Sequence, residues 1–147
     1  MGRDQRRHPA LGRRRDRARD QADVYPTVMS STGVVLQLGR TRRLASRGQT
    51  MALIARDGGC SFPGCDRPPE WCERHHVLDW ARGGRTDLGN LTLLCAYHHH
   101  NFASRGWTCL MIDDLPAWVP PGWVDPEQRP LRHARITARR QGQRLRC

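Results

Sequence analysis

Cysteine and histidine are concentrated in a short central part of this chain, and their spacing constrains its fold more than any other feature. Five of the seven histidines stand at residues 75–76 and 98–100, and four of the six cysteines lie between residues 60 and 95. Thiolates and imidazoles are the ligands that zinc and other transition metals prefer. Only 37% of the residues are hydrophobic, so the core is small. A bound metal would supply the stability that such a core lacks.

The sequence contains two pairs of candidate zinc ligands. Cys60 and Cys65 flank the predicted turn S-F-P-G, and Cys95 and His98 stand at i and i+3 where a helix is predicted to begin. A Cys3His set of this kind is a usual composition of a tetrahedral structural zinc site. Each cysteine taken alone also fits a small buried hydrophobic residue. Cys72 is a rival ligand, but a thiol buried in a strand is the simpler interpretation for it.

Three further histidines are not explained by this zinc set. Neighbouring residues of a strand point to opposite faces, so His75 and His76 share a site only if the strand end twists or bulges. His99 is rotated by about 100° from His98 around a helix, so it points away from the zinc and toward the strand. These residues form a second, more open metal position. Such a position suits a hydrolytic cation that keeps bound waters.

The pattern of apolar residues, glycines and prolines predicts a small α+β domain. A partly apolar helix is predicted at 49–56, and the sequence D-G-G ends it directly before the first cysteine pair. Cys109 is expected to face the core from the last of several short strands. The other predicted elements are strands at 34–38, 70–78, 91–94 and 107–112 and a helix at 95–104.

The charge balance indicates a polyanionic partner. The formal net charge is +11, and all 25 basic residues are arginine. Codon bias in a GC-rich genome explains the absence of lysine, but it does not explain the excess of positive charge, which is typical of proteins that bind nucleic acid. The sequence shows no secretory signal and no apolar stretch of membrane-spanning length. We therefore expect a cytoplasmic, nucleoid-associated protein with reduced thiols and no membrane partner.

The spaced polar residues resemble a known motif. E-x-H-H begins at Glu73, G-G follows at 83–84, N-L at 90–91, and L-C-x-x-H-H begins at Leu94. This series resembles the motif of the HNH endonucleases and implies their ββα-metal (His-Me) finger over about residues 57–108. The flanking G-R-T-R-R-L, R-D-G-G-C-S-F-P-G-C-D-R-P-P and W-V-D-P-E-Q-R-P resemble the C-terminal part of bacterial repeat-element proteins. In those proteins an HNH domain follows a longer helical domain of unknown function.

The resemblance implies a role for each matched residue. His76 matches the general base that deprotonates water, and His75 and His99 match ligands of a catalytic divalent metal. Asn90 matches the central asparagine, whose side chain would hydrogen-bond loop backbone and keep the base in register. The structural zinc set implied by the family coincides with Cys60, Cys65, Cys95 and His98.

The chemistry implied is hydrolysis of DNA phosphodiester bonds that leaves 5′-phosphate and 3′-hydroxyl ends. Mg²⁺ is the expected catalytic cation, with Mn²⁺, Ni²⁺ or Zn²⁺ as alternatives, beside a structural Zn²⁺; no small-molecule cofactor is expected. Arginines near the motif are candidates for phosphate contacts without base readout, although for each one a solvated surface position fits equally well. They are Arg74, Arg82, Arg85 and Arg105.

The sequence departs from the family pattern at three positions. Asp79 stands where relatives often carry proline, and Ala103 stands where some carry a further histidine that would complete the metal shell. His100 is an additional histidine, for which a solvated helix position is the simpler interpretation. The missing histidine bears on metal affinity more than on the chemistry.

These observations predict a small zinc-stabilised ββα-metal finger with disordered basic termini. Two alternatives to a nuclease remain open: a zinc-stabilised DNA-binding module without hydrolysis, and an inactive truncated fragment of a mobile-element protein. The predicted parts of the chain are a disordered basic tail at 1–22, an N-terminal strand and basic linker at 23–48, the HNH nuclease domain at 49–115, and a Pro/Trp-rich segment with a basic C-terminal tail at 116–147.

Overall fold

The computed structural model describes residues 36–144, which form a mixed α+β fold, as predicted. Within this range no helix is long and apolar enough to cross a lipid bilayer. The helices are α1 (Arg47–Asp57), α2 (Ala96–Asn101) and α3 (Ala134–Arg144), and the strands are β1 (Cys72–His76), β2 (Leu91–Cys95), β3 (Thr108–Ile112) and β4 (Leu115–Val119). Short 3-10 turns span Pro69–Trp71, Trp80–Arg82 and Leu88–Asn90.

Helix α1 confirms the predicted helix before the first cysteine pair and extends slightly beyond it. Ser46 and Gln49 form a capping box, in which each side chain accepts a hydrogen bond from the other residue's backbone N–H. Gly58 ends the helix in the left-handed conformation, with φ of 68°. Leu53 faces inward and is fully buried against Leu91 and Leu93. The helix therefore packs on β2 and leads the chain into the cysteine turn.

Strands β1 and β2 and helix α2 form the ββα-like core that the sequence predicted. The two strands pair antiparallel in a regular register from Cys72 opposite Cys95 to His76 opposite Leu91. Every residue of β2 is buried, whereas β1 has β2 as its only paired strand among the described residues and remains an edge strand. Helix α2 is shorter than the predicted helix at 95–104, because the chain turns after Asn101.

A buried carboxylate joins α1 to β2. Asp57 is fully buried and accepts hydrogen bonds from the Thr92 hydroxyl and the Leu93 backbone N–H, each at 2.9 Å. Its charge is balanced by the guanidinium of Arg56 at 2.7 Å. Arg56 also donates to the carbonyls of Leu88 and Leu91. A buried charge is tolerated where it is paired and hydrogen-bonded in this way.

Strands β3 and β4 form a second hairpin, and β4 was not predicted. Asp113 and Asp114 connect them with positive φ angles of 51° and 59°, as a tight two-residue hairpin turn requires. Trp118 of β4 is fully buried and packs in the same core cluster as Cys109, which faces the core as predicted. The prediction of an irregular segment from residue 116 is therefore wrong for β4. The predicted domain boundary at 115 falls inside this hairpin.

The C-terminal region also differs from the prediction. Residues 132–147 were expected to be a basic tail, but Ala134–Arg144 form helix α3, and Ile136 is only 2% exposed. Arg139 donates hydrogen bonds to the carbonyls of Ile54 and Ala55 at the end of α1. The expected disordered tail at 1–22, residues 34–35 of the first predicted strand and Cys147 lie outside the described residues. The rest of that strand makes a single bridge, between Gln37 and Asp87.

We expect the substitution Asp57→Ala to lower the free energy of unfolding by about 3–5 kcal/mol, because it leaves the Arg56 charge and the Leu93 N–H without their partner. Urea denaturation followed by tryptophan fluorescence measures the change. The exposed carboxylate of Glu70 provides the control, and Glu70→Ala should change stability by no more than about 0.5 kcal/mol. Equal stability of the two variants would contradict the role assigned to Asp57.

Candidate active site

Cys60, Cys65, Cys95 and His98 are positioned to bind a metal ion. Their ligand atoms all lie within 4.8 Å of one another. The Sγ atoms of Cys65 and Cys95 are 3.9 Å apart, and His98 Nδ1 lies 3.5 Å from Cys60 Sγ and 3.3 Å from Cys95 Sγ. Tetrahedral zinc with ordinary bond lengths would separate two sulfur atoms by about 3.8 Å and sulfur from nitrogen by about 3.5 Å. The four donors therefore fit a zinc ion without rearrangement.

Local sequence explains how these donors meet. The turn between Cys60 and Cys65 is closed by a hydrogen bond from Cys65 N to Phe62 O at 3.1 Å, and Gly64 adopts the positive φ of 76° that the turn needs. The ring of Phe62 stacks on His98 with 4.1 Å between centroids. Cys95 is the last residue of β2 and directly precedes α2. The turn is thus held against the start of the helix.

The electrostatics of the cluster favour an occupying cation. Burial raises the pKa of the Cys60 thiol far above its ordinary value, and the neighbouring Cys65 and Cys95 raise it further. Burial also lowers the pKa of His98, so the neutral imidazole that a metal requires is favoured. Thiolates crowded in this way are stable only with a compensating positive charge, which a bound metal provides.

Two C-terminal residues support the cysteine turn, and sequence analysis missed both. His133 Nε2 lies 3.0 Å from the Cys65 carbonyl, and its Nδ1 accepts a hydrogen bond from Arg135 N. The Arg135 guanidinium donates to the carbonyls of Cys60 and Cys65 at 2.9 and 3.3 Å. The only sequence signal for these contacts is His133 itself, a single histidine among arginines. It lies in the segment that was predicted to be a basic tail.

A second group of potential ligands lies between β1 and α2. The rings of His75 and His99 are 5.1 Å apart, as the helical rotation from His98 predicted. Glu73 Oε2 lies 2.6 Å from His99 Nδ1. This contact lacks the direction of a hydrogen bond, so Nδ1 is a buried nitrogen without a hydrogen-bond partner. The contact places two potential metal ligands side by side.

Glu73 belongs to the E-x-H-H motif but is not among the predicted site residues. Glu73, His99 and His100 have ligand atoms within 4.8 Å of one another, so they form a second possible arrangement beside the predicted pair of His75 and His99. Burial and the neighbouring His99 lower the pKa of His75 to about 4. His75 is therefore neutral at neutral pH and able to act as a ligand.

His76 lies on the opposite face of β1 from His75. The strand pairing is regular through His76, so the structure has no bulge there. The Nε2 atom lies 3.0 Å from the Thr86 hydroxyl, and the ring is 5.9 Å from that of Trp80. Burial lowers the pKa of His76, as does the positive charge of Arg43, while Asp79 opposes the shift. The imidazole is thus favoured in its neutral, proton-accepting form.

A cavity of about 910 Å³ is lined by residues from both faces of β1, including His75 on one face and His76 on the other. His76 therefore shares this open space with the potential metal ligands Glu73, His75 and His99. Charged and histidine side chains that line the cavity include Arg43, Glu73, Arg74, His75, His76, Asp79, Arg82 and His99.

Two of the four predicted phosphate-binding arginines line this cavity, and two do not. Arg74 and Arg82 are lining residues. Arg85 instead pairs with Asp87 at 2.7 Å, and Arg105 lies over the Tyr97 ring. Arg43 is a lining arginine that sequence analysis did not select, because it lies 30 residues before the motif in a stretch interpreted as linker.

Asn90 closes the loop that joins β1 to β2. Its Oδ1 accepts from Leu78 N at 2.8 Å, and its Nδ2 donates to the carbonyls of Leu78 and Arg85 at 3.0 and 2.9 Å. These are the hydrogen bonds to loop backbone that the family resemblance implies for Asn90. Gly84 makes the closure possible, since a Cβ atom there would lie 1.8 Å from the Leu78 carbonyl oxygen.

The residues 36–46, here called the strap, cross this loop from outside. Arg40 donates to the carbonyls of Trp80 and Gly84 at 2.9 and 3.0 Å, and its guanidinium lies 4.2 Å from the Trp80 ring centre. Thr86 in the loop pairs with Gly39 through its backbone N–H at 2.7 Å. A segment predicted as strand and linker therefore forms one wall of the site.

Comparison with known proteins agrees with this geometry. Residues 58–101, which include both ligand groups and Asn90, match the family model of the HNH endonucleases. This part of the chain is therefore similar to an HNH endonuclease domain. The predicted resemblance is thereby confirmed, and it agrees with the ββα-like core described above. No solved structure matches the chain significantly.

The chain is also similar to longer uncharacterized mycobacterial proteins. It is 45% identical to uncharacterized protein Rv1128c of Mycobacterium tuberculosis over 97 residues, which cover 65% of this chain and 21% of the relative. It is 42% identical to uncharacterized protein Mb1179c of Mycobacterium bovis over 94 residues, which cover 63% and 20%. The chain thus spans about a fifth of the length of the curated relatives that it matches.

We expect the purified protein to contain about one zinc per chain, and Cys65→Ser to lose most of it, since a hydroxyl is a poor replacement for a thiolate ligand. Elemental mass spectrometry measures the metal. Cys72→Ser is the matched control: burial raises the pKa of Cys72 to about 11, and its Sγ contacts the Pro68 carbonyl. Loss of zinc in the Cys72 variant alone would reverse the ligand assignment.

The depressed pKa of His75 predicts that the protein loses stability in acid. The folded state takes up this proton only near pH 4, whereas an unperturbed histidine does so near pH 6.5. Protons therefore favour the unfolded state as the pH falls through this window. Urea denaturation at several pH values should give a shallower decline for His75→Gln than for the unmodified protein. Comparing slopes removes any pH-independent effect of the substitution, and identical slopes would contradict the prediction.

Proposed function

We propose that this chain is a metal-dependent endonuclease that hydrolyses DNA phosphodiester bonds, acting in the cytoplasm at the nucleoid. The observation that carries the proposal is the shared cavity. It joins a neutral histidine, His76, to a separate group of cation ligands around His99, and arginines line the same space. A structural metal site alone would need neither feature.

In the proposed reaction His76 accepts a proton from the attacking water. Its lowered pKa keeps the imidazole neutral, as a general base at neutral pH requires. Asn90 does not touch the water; it fixes the loop between β1 and β2 and so keeps His76 in register with the cavity. The two roles are distinct, and only the first involves proton transfer.

The residues that would hold the catalytic cation are His75 and His99, with Glu73 beside them. Such a cation, when bound, supplies positive charge that stabilises the developing charge on the phosphate and its leaving oxygen. Two imidazoles and one carboxylate are a mixed donor set, which suits Mn²⁺ or Ni²⁺ as well as Mg²⁺. The absence of a histidine at Ala103 leaves positions for water and substrate.

The zinc proposed at Cys60, Cys65, Cys95 and His98 has a structural role. It would fix α2 relative to the cysteine turn, and α2 carries His99 on its other side. The spacing of the donors fits a closed tetrahedral site with no free position, which is the usual form of a structural zinc site. We therefore assign hydrolysis to the other ligand group.

DNA is the proposed substrate because of the charge around the cavity. Arg43, Arg74 and Arg82 line it, and each can neutralise a backbone phosphate without reading a base. Arg85 and Arg105 remain proposed contacts for DNA that extends beyond the cavity. The choice of DNA over RNA rests on the HNH family.

A DNA-binding module without hydrolysis is the second candidate. The close contact between Glu73 and His99 favours it, because a cation can enter there only if the two side chains separate. An inactive fragment of a mobile-element protein is the third candidate that the sequence leaves open. The presence of a metal-dependent activity distinguishes the first candidate from both.

We expect the protein to cleave supercoiled plasmid with Mg²⁺ or Mn²⁺, and His76→Ala to lower the rate by about 10²–10⁴-fold, the usual contribution of a general base. Gel electrophoresis of plasmid forms over time measures the rate. Zinc content and circular dichroism equal to those of the unmodified chain serve as the folding control. Equal cleavage by both proteins would remove the role of His76. Tight DNA retention with no cleavage by either would favour the binding module.

A further inference from the structure

We propose that Thr86 is a positioning residue that fixes the tautomer of His76, so that Nε2 carries the proton and Nδ1 is left as the proton acceptor. The inference rests on the proposed function for its catalytic meaning, but the hydrogen bonds that carry it do not depend on that function. They form a chain from His76 through the Thr86 hydroxyl to the backbone carbonyl of Arg43.

The direction of this chain follows from the number of available protons. A carbonyl oxygen only accepts, so the Thr86 hydroxyl donates its single proton to the Arg43 carbonyl, 3.1 Å away. The hydroxyl oxygen then has only acceptor capacity for His76 Nε2 at 3.0 Å. Nε2 must therefore carry hydrogen. In a neutral imidazole the other nitrogen, Nδ1, then holds the free lone pair.

The opposite tautomer would break this arrangement. If Nε2 were unprotonated, the hydroxyl would have to turn its proton toward it and leave two oxygens, those of Thr86 and the Arg43 carbonyl, facing each other at 3.1 Å. No other donor to the Arg43 carbonyl occurs among residues 36–144. Leaving the Arg43 carbonyl without this donor is unfavourable, so the tautomer with hydrogen on Nε2 is favoured.

Thr86 is held firmly enough to act in this way. The residue is fully buried. Its backbone N–H donates to the Gly39 carbonyl at 2.7 Å, and its own carbonyl accepts from Leu38 N at 3.0 Å and from Gln49 Nε2 at 2.7 Å. A β-branched side chain on a fixed backbone has few rotamers. The hydroxyl therefore has a defined position between its two partners.

The strap supplies the last acceptor of the chain. Arg43 belongs to the strap and lies outside residues 58–101, the part that matches the HNH family. Arg43 also lines the cavity, so one residue contributes its carbonyl to orientation and its guanidinium to the charge near His76. A segment that precedes the HNH motif thereby completes the environment of the base.

The side chains around His76 leave Nδ1 available. Trp80 approaches the ring, Asp79 and Arg43 contribute charges of opposite sign, and His76 itself lines the cavity. Within the described range, Nδ1 has no hydrogen-bond partner, whereas Nε2 has one. Nδ1 can therefore accept a hydrogen bond from water that enters the cavity.

The experiment compares the full-length chain with Thr86→Val and Thr86→Ser by nitrogen NMR of the histidine side chains, without DNA or added divalent cation. Val has nearly the shape of Thr but no hydroxyl, and Ser restores the hydroxyl. In the unmodified chain we expect a single His76 tautomer with hydrogen on Nε2, protected from exchange with solvent. In Thr86→Val we expect loss of that protection and movement of both nitrogen shifts toward each other. Thr86→Ser should recover the original pattern.

Zinc content verifies that each variant is folded. If cleavage is observed, Thr86→Val should lower kcat by at least about tenfold, which is part of the 10²–10⁴-fold contribution of a general base. KM should change little, and Thr86→Ser should recover most of the lost kcat. A His76 with hydrogen on Nδ1 in the unmodified chain would overturn the proposal, as would an unchanged tautomer and unchanged protection in Thr86→Val. A correct tautomer in a chain that cleaves no DNA would instead refute the proposed function and leave this inference standing.

Discussion

The complete burial of β2 is the constraint on which the rest of the structure depends. Leu91 and Leu93 pack against Leu53 of α1, while Leu94 and Cys95 belong to the core cluster that contains Cys60 and Trp118. A strand buried along its whole length must pair its backbone groups, and β1 provides that pairing. One edge of β1 pairs with β2, the other has no partner strand among residues 36–144, and residues on both faces of β1 line the cavity.

This arrangement explains how so small a protein holds an open polar site. The site residues stand on an edge strand, on a short helix and on a clamped loop, each fixed to β2 or to the cysteine turn. The apolar core alone is limited, and it is supplemented by the buried Asp57 network and by the Cys3His donors. Rigid support of this kind lets functional groups remain partly exposed without losing their positions.

Sequence reasoning reached the elements whose signals are local. The apolar side of α1, the glycine that ends it, the alternation in β3 and the cysteine spacing all lie within a few residues of the feature that they specify. Helix α2 and the placement of His99 followed from helical geometry. The metal-binding arrangement of Cys60, Cys65, Cys95 and His98 was predictable because the ligand types and their spacing limit the possible geometry so strongly.

What the sequence did not reveal depends on contacts between distant residues. Strand β4 begins L-P-A-W, and Pro116 argues against a strand unless a partner such as β3 is already in place. Helix α3 is rich in arginine, so its few apolar residues gave no periodic signal, although Ile136 is buried. The contact between Glu73 and His99 and the chain from His76 to Arg43 join different elements. No local pattern encodes either of them.

The hydrogen bonds of several arginines bear on the absence of lysine. Guanidinium groups donate to main-chain carbonyls across the fold, and those that do so include Arg40, Arg56, Arg132, Arg135 and Arg139. The planar guanidinium group of arginine can donate to two acceptors from one fixed position. The ammonium group of lysine, at the end of a flexible side chain, does this less well. Whatever genomic bias first favoured arginine, part of the architecture now relies on the shape of that side chain. The formal charge accordingly overstates how many cationic groups are free to engage a polyanion.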